Sequence, residues 1–387
     1  MTVQAGSELA KKARAGDIGG VFTATVVSTR RELDQYADEW NELLGASAAD
    51  SIFLTWEWIS AWLHTVNPDA PLLTVAVRNT HGELVAVAPF YRSTLCLLGF
   101  LKYKCLRAIG DCLCGSEYPD IIVRQDCEEE ALALVMKTLL KYSTAWECIY
   151  LPKVAGWTGA YERFRHMFVR DGVFLHERPE EFSAVALPDT YESYLMALSR
   201  NKRGQVRRKG RRFSESHDVE VIRCSSKDEL HARLSDLFSL HRRRWESVGQ
   251  AGSFVRKPLM RRFYEHFALE ALRQGWLRLY ALSIDGVVRA VQYGYAYEGK
   301  FSQLQEGYDP ETSYSIGNIL RSLVIKACIE EGLAEYDFLG EFSDHKRRWG
   351  AKLRGGYTLF IGRKSLKNRL LFWKNVWPSG RYIREIT

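Results

Sequence analysis

The sequence has no long apolar run. Its longest uninterrupted apolar stretch, residues 95–101, is far too short for a membrane-spanning helix, which takes about 20 residues. It also has no Cys-x-x-Cys pair. Eight cysteines are scattered at 96, 105, 112, 114, 127, 148, 224 and 328. In a chain of 387 residues that scatter gives no disulfide framework and fits a reducing cytoplasm. Cys112 and Cys114 lie near Cys105, yet thiols used as small hydrophobes account for the set, and no metal is expected. The basic start at Lys11, Lys12 and Arg14 runs into Gly16-Asp17 rather than an apolar stretch. No secretory signal is expected there, and residues 1–21 read as a mobile leader.

What the chain does have is an uneven charge. Residues 1–199 hold 18 Lys/Arg against 26 Asp/Glu, and residues 200–387 hold 36 against 21. The first half is acidic and the second strongly basic, which assigns anion binding to the second half. The densest run, 200–212, carries Arg200, Lys202, Arg203, Arg207, Arg208, Lys209, Arg211 and Arg212. Charge runs are usually solvated faces, but this density exceeds what solubility needs and points to a phosphate or polyanion. Arg207 and Arg208 are the candidate contacts. Few aromatics are interleaved, so stacking on exposed bases is not expected. A nucleic-acid partner would be tRNA backbone rather than a sequence-specific DNA site.

The most informative segment is 277–349. Leu277–Ile284 and Val287–Tyr297 are rich in β-formers and joined by Asp285-Gly286, a strong two-residue hairpin signal. Glu298-Gly299 turns into a third strand, Lys300–Tyr308, which Asp309-Pro310 ends. A helix follows with Ile316, Ile319, Leu320, Leu323, Val324 and Ala327 on one face and Gly332 as its stop. Residues 336–339 form a short strand ending in Gly340.

Three antiparallel strands, a helix opened at 315–318 and a further strand resemble the core of a GNAT acyltransferase. The pattern continues through Ser315, Gly317 and Leu320, then Gly332 with Tyr336-Asp337-Phe338-Leu339-Gly340, then His345-Lys346 and Trp349. In this it resembles the CelD-like (cellulose-biosynthesis) acetyltransferases, related to the FemAB aminoacyltransferases. The likeness reaches residues 53–62, 82–91 and 199–212, and so covers roughly 22–362. One departure concerns the GNAT pyrophosphate loop. Thr312 stands for its Gln/Arg, Ser315 for its first Gly, and Gly317 alone is kept. A helix N-terminus still offers N–H groups and a positive dipole end to a phosphate.

The order β-α-α-β-β-(β)-α-β, that of one GNAT unit, occurs twice. The first copy has a strand at 22–28, helices at 30–44 and Trp56–Thr65, a hairpin of 72–79 with 84–91, a helix at 128–142 and a strand at 148–151. The second has Val219–Arg223, helices at 227–248 and Pro258–Arg273, and then the segment above. The expected fold is therefore α/β, with mixed sheets in two tandem GNAT-like domains. Residues 22–190 would be a scaffold and acceptor wall, 191–213 a basic linker helix, and 214–363 the donor and catalytic domain. Residues 364–387 would be a basic amphipathic tail, with Leu366, Leu370, Trp373, Val376 and Trp377 on one side, packed on the body or lying on a membrane surface.

The resemblance implies roles for several residues. Lys346 matches the family's terminal lysine and could neutralise charge on the carbonyl oxygen of the acyl group or hold a donor phosphate. Asp337, an acid in an apolar strand, reads as a general base, a group orienting an amine, or half of an ion pair with Lys346 or His241. Glu306 sits where some GNAT enzymes carry their base. His241 and Trp245 lie on the apolar stripe of a helix begun by a Ser226–Glu229 capping box and are candidates for acceptor binding. Ser315, Ile316, Gly317 and Asn318 are the candidate cofactor contacts. The expected protein is a cytoplasmic acyltransferase, possible peripheral membrane contact included. It would move an acyl group, acetyl first, from acyl-CoA to an amine or hydroxyl of a small molecule or saccharide, without a metal, in polysaccharide or cell-envelope synthesis. Aminoacyl transfer from charged tRNA is the second reading, and a non-catalytic adaptor for nucleic acid or membrane the third.

Overall fold

The computed structural model describes residues 22–97, 101–111, 114–169, 173–312, 315–363, 365, 368 and 383–386. The expected leader, Cys112 and most of the C-terminal tail lie outside them. The first unit runs β1 (Phe22–Val27), α1 (Arg30–Leu33), α2 (Ala37–Gly45), α3 (Trp56–Thr65), β2 (Thr74–Asn79), β3 (Leu84–Ala88), β4 (Phe90–Leu97) and β5 (Leu101–Ala108). It continues with β6 (Ile122–Val123), α4 (Glu128–Lys141), β7 (Cys148–Ala155), α5 (Ala160–Val169) and β8 (Phe174–Ala186). Helices α6 (Tyr191–Ala197) and α7 (Arg200–Ser216) connect the halves.

The second unit has β9 (Val219–Arg223), α8 (Lys227–Glu246), α9 (Ser253–Arg256), α10 (Pro258–Arg273), β10 (Leu277–Ile284), β11 (Val287–Tyr297) and β12 (Lys300–Tyr308). Then come α11 (Ile316–Glu330), β13 (Glu335–Gly340), α12 (Asp344–Arg348), β14 (Lys352–Gly362) and β15 (Ile383–Ile386). Both hairpin turns of this unit take positive φ at their two central residues, Asp285 and Gly286, then Glu298 and Gly299. That is the twist-matched geometry the Asp-Gly and Glu-Gly pairs favour.

Several expectations are corrected. The single helix at 30–44 is broken by a 3-10 turn at Asp34–Tyr36. The strand expected at 84–91 stops at Ala88; Pro89 cannot donate to a ladder, and β4 leaves for the other sheet. The linker is two helices rather than one. In α11 the buried face includes Arg321, Ser322, Ile325 and Cys328, while Leu323 and Ala327 are only half-buried.

Two sheets result: β1-β2-β3-β6, and an eleven-stranded sheet of order β15-β4-β5-β7-β14-β8-β13-β12-β11-β10-β9. In each unit the strand before its last helix pairs in parallel, β5 with β7 and β12 with β13. The last strands are exchanged: β14 of the second unit pairs with β7 of the first, and β8 of the first pairs with β13 of the second. Strands β8 and β14 pair with each other along eleven residue pairs. The sheet therefore runs unbroken past the boundaries expected near 190 and 214, and the units share one backbone ladder.

Candidate functional site

Strands β12 and β13 pair only at Lys300–Glu335, Phe301–Tyr336 and Ser302–Asp337. Beyond that they part, because β12 carries a register shift against β11 between Tyr293 and Gly294. The parted ends open a cavity of about 900 Å³, with walls drawn from both units. Gln303 to Glu306 line one side, Phe338 to Ser343 another, and Gly115, Glu117, Lys153 and residues 179–182 of β8 a third. Helix α8 closes the cavity because Gly307 lets it come close. A Cβ there would stand 2.5 Å from the His241 backbone nitrogen.

On the β12 side Glu306 is gripped by two guanidiniums, Arg244 at 3.0 Å and Arg321. Burial raises its pKa, but the two arginines outweigh that and hold it below the usual carboxylate range. A carboxylate so paired is a weak base. His241 is buried, and its Nε2 accepts from Trp245 Nε1 at 3.0 Å and faces Ser253 Oγ at 3.2 Å. Burial first, then Arg244 and Arg256, push its pKa down to about 4, so the ring is neutral near pH 7. His345 is also held at about 4, by desolvation and by Arg321, whose Nη1 lies 3.1 Å from its Nε2.

Lys346 reaches the end of β13. Its Nζ lies 3.0 Å from the Phe338 carbonyl oxygen, 3.4 Å from that of Leu339 and 2.8 Å from that of Glu341, and bonds Gly340 O as well. An ammonium has three hydrogens, and four carbonyls converge on them. Leu339 and Glu341, both at positive φ, make the bend that turns those carbonyls inward. Asp337 points away from the large cavity into one of about 50 Å³ with Tyr118, Trp157 and Tyr297. Its partners are Tyr118 Oη at 2.9 Å and the Leu339 N–H at 2.7 Å, rather than Lys346 or His241. Burial raises its pKa to about 7.

The start of α11 borders a second cavity, of about 260 Å³, between α6, α7 and α11. Leu195, Val206, Ile319, Leu323 and Trp349 supply apolar surface, and Lys202, Arg207, Lys209 and Lys326 supply cations. Lys209 Nζ donates to Ser315 Oγ at 2.7 Å. Asn318 Oδ1 lies 3.4 Å from His345 Nε2, so this contact stands between the two cavities. Ile316 is buried in the core and offers only its backbone N–H, while Gly317 packs on the Tyr308 ring. Arg207 pairs with Glu192, and Arg208 is exposed.

The structure thus gathers Glu306, His241, Trp245 and Lys346 around one cavity, brings Arg207 and Asn318 to its neighbour, and turns Asp337 elsewhere. Sequence reasoning missed Glu117, Lys153, Arg244, Arg321 and His345. Arg321 had a signal, a guanidinium on the apolar side of a helix. Glu117 had a weaker one, an acid in the Gly115–Asp120 loop with no local periodicity to aim it.

A family model described as an acetyltransferase (GNAT) domain matches residues 200–347. The solved structure of FemX is similar at 12% identity and a TM-score of 0.62, over 87% of this chain and 98% of that one. The C-terminal domain (DUF2156) of a putative lysylphosphatidylglycerol synthetase from Agrobacterium fabrum is similar at 10% identity and a TM-score of 0.52, over 91% and 99%. No curated protein matches the sequence. At these identities the likeness is one of fold: a mixed α/β chain of two GNAT-like units. Among the described residues no helix is long and apolar enough to cross a membrane, and no three His, Cys, Asp or Glu side chains converge as a metal site.

Proposed function

We propose that the protein is an acyltransferase that binds an anionic acyl donor at the start of α11 and transfers its acyl group within the cavity between β12 and β13. The observation that carries this reading is the parting of two parallel strands beside a helix N-terminus. The parted strands leave room for an extended donor arm. The first-turn N–H groups of α11 and the lysines of α7 offer charge to a phosphate. Donor phosphates would sit by Ser315 to Asn318, Lys202 and Lys209, with the arm passing the Asn318–His345 contact into the large cavity.

Acyl-CoA is the donor this arrangement favours, and transfer is direct, without an enzyme-bound acyl group. The basic surface of α7 supports aminoacyl-tRNA as the second donor. The CelD-like motif supports a saccharide or other cell-envelope acceptor, met on the cytoplasmic side. His241 and Trp245 would form the acceptor wall. Lys346 acts here by fixing the bend that shapes the cavity, since its hydrogens are directed at backbone carbonyls. Isothermal titration of the full chain with acetyl-CoA, longer acyl-CoAs and uncharged tRNA tests the reading. One-to-one binding of a donor supports it, and silence to all three overturns it.

A further inference from the structure

The large cavity is electrically lopsided. On the β12 side Arg244 and Arg321 place two positive charges over the single carboxylate of Glu306. On the opposite side stand Glu117, Glu180, Glu181 and Glu341, against the two cations Lys153 and Lys346. Glu181 and Glu341 are exposed and make no salt bridge to any described residue. Glu117 differs from them in depth: its side chain is 4% exposed. It projects from the loop between β5 and β6 of the first unit to the end of β13 in the second, where a Cβ on Gly340 would stand 3.0 Å from its Oε1. That oxygen takes the ammonium of Lys153. Its Oε2 is buried and has no hydrogen-bond partner.

Leaving a buried carboxylate oxygen unpaired costs on the order of 1–3 kcal/mol or more. Such a group in a cavity wall calls for a donor. The nearby cations do not supply one: Lys153 is on Oε1, and Lys346 is taken up by four carbonyls. Burial is the main influence on this carboxyl and raises its pKa, against Lys153, Lys346 and the backbone N–H of Gly340. A raised pKa makes it a stronger proton acceptor than the arginine-held Glu306.

We infer that the Glu117 carboxylate docks the ammonium of a primary-amine acceptor and takes one of its protons, which frees the nitrogen lone pair for acyl transfer. The inference rests on the transferase reading above and deepens it. With an acyl thioester as donor, a C–N bond forms as the C–S bond breaks. The ammonium loses two protons in all: the first goes to Glu117 before attack and frees the lone pair, and the second leaves the nitrogen as the C–N bond forms and is taken, through solvent, by the departing thiolate. Glu181 and Glu341 at the mouth would draw the cation inward.

The test is binding, which needs no donor. The full chain is titrated with 1-aminobutane and with butan-1-ol near pH 7, followed by NMR chemical-shift changes. The amine should bind at least tenfold more tightly than the alcohol, and Glu117→Gln should erase that preference. Lys153→Met removes the competing cation and should tighten amine binding at least threefold; it also serves if Glu117→Gln does not fold. Equal binding of amine and alcohol, or an amine preference that survives Glu117→Gln, would overturn the assignment. So would weaker amine binding in Lys153→Met. Acetyl-CoA, a longer acyl-CoA and uncharged tRNA titrated into the same samples separate the two ideas: silence to all three sinks the transferase reading while the amine result stands by itself.

Discussion

The ammonium of Lys346 lies 3.0 Å from the Phe338 carbonyl oxygen, at the centre of four converging carbonyls. Its charge is therefore applied to the backbone that ends β13. Lys346→Met should strip those carbonyls of their donors and lower stability by roughly 1.5–3 kcal/mol, on the scale of hydrogen bonds to charged groups. Donor affinity and turnover should fall together as the bend relaxes, and urea unfolding with donor titration checks both. A mutant of unchanged stability and donor affinity, but turnover lowered about 10² to 10³, would instead mark Lys346 as a stabiliser of the transition-state oxygen.

Asp337 gives a pH dependence of definite sign. Its folded pKa, raised to about 7 by burial, lies above that of a free aspartate, near 3.9. The folded chain thus holds a proton the unfolded chain has lost, and this group's contribution weakens as pH rises from about 4 to 7. Asp337→Asn should flatten the fall in Tm between pH 5 and 8 and be at least as stable as the parent at pH 8. An unchanged slope would show that Asp337 is ionised throughout.

Glu306 has the opposite sign. Its folded pKa is lowered, so its stabilisation is present above the unfolded value near 4.3 and fades as pH falls through the folded one. Glu306→Gln leaves Arg321 buried without its anion and should cost roughly 3–5 kcal/mol near neutral pH. Urea unfolding at pH 7 and at pH 3 should show that cost shrinking in acid.

Neutralising Arg207, Arg208, Arg211 and Arg212 together by glutamine should weaken binding of a polyanionic donor and flatten its salt dependence. Each phosphate deprived of its cation takes roughly one unit from the log–log slope. No change in either quantity would mark α7 as a solvated face and remove the main support for tRNA.

Much of the second unit was legible because its signals are local. The Asp285-Gly286 and Glu298-Gly299 turns, the Gly332 stop and the Ser226 N-cap each act within a few residues and stand where the sequence put them, although Glu229 reaches back to the Ser225 N–H rather than closing a capping box on Ser226. Strands β8 and β14 were not legible, because their places depend on exchange between units nearly 180 residues apart. The site divides the same way. Period-two alternation gives β13 two faces but cannot say which one opens on the cavity, so the sequence left the direction of Asp337 open. Glu117 reaches the site only through the packing of the first unit on the second.

The most direct measurement is acetyl-CoA binding to Ser315→Asp by isothermal titration. Aspartate is a good helix N-cap, so α11 should stay formed and Tm should hold. The new charge would face the donor's phosphates at the start of the helix. The account predicts one-to-one binding to the parent chain, weaker as salt rises, and at least tenfold weaker binding to the folded variant. Equal affinity in parent and variant would contradict the placement of the donor at α11.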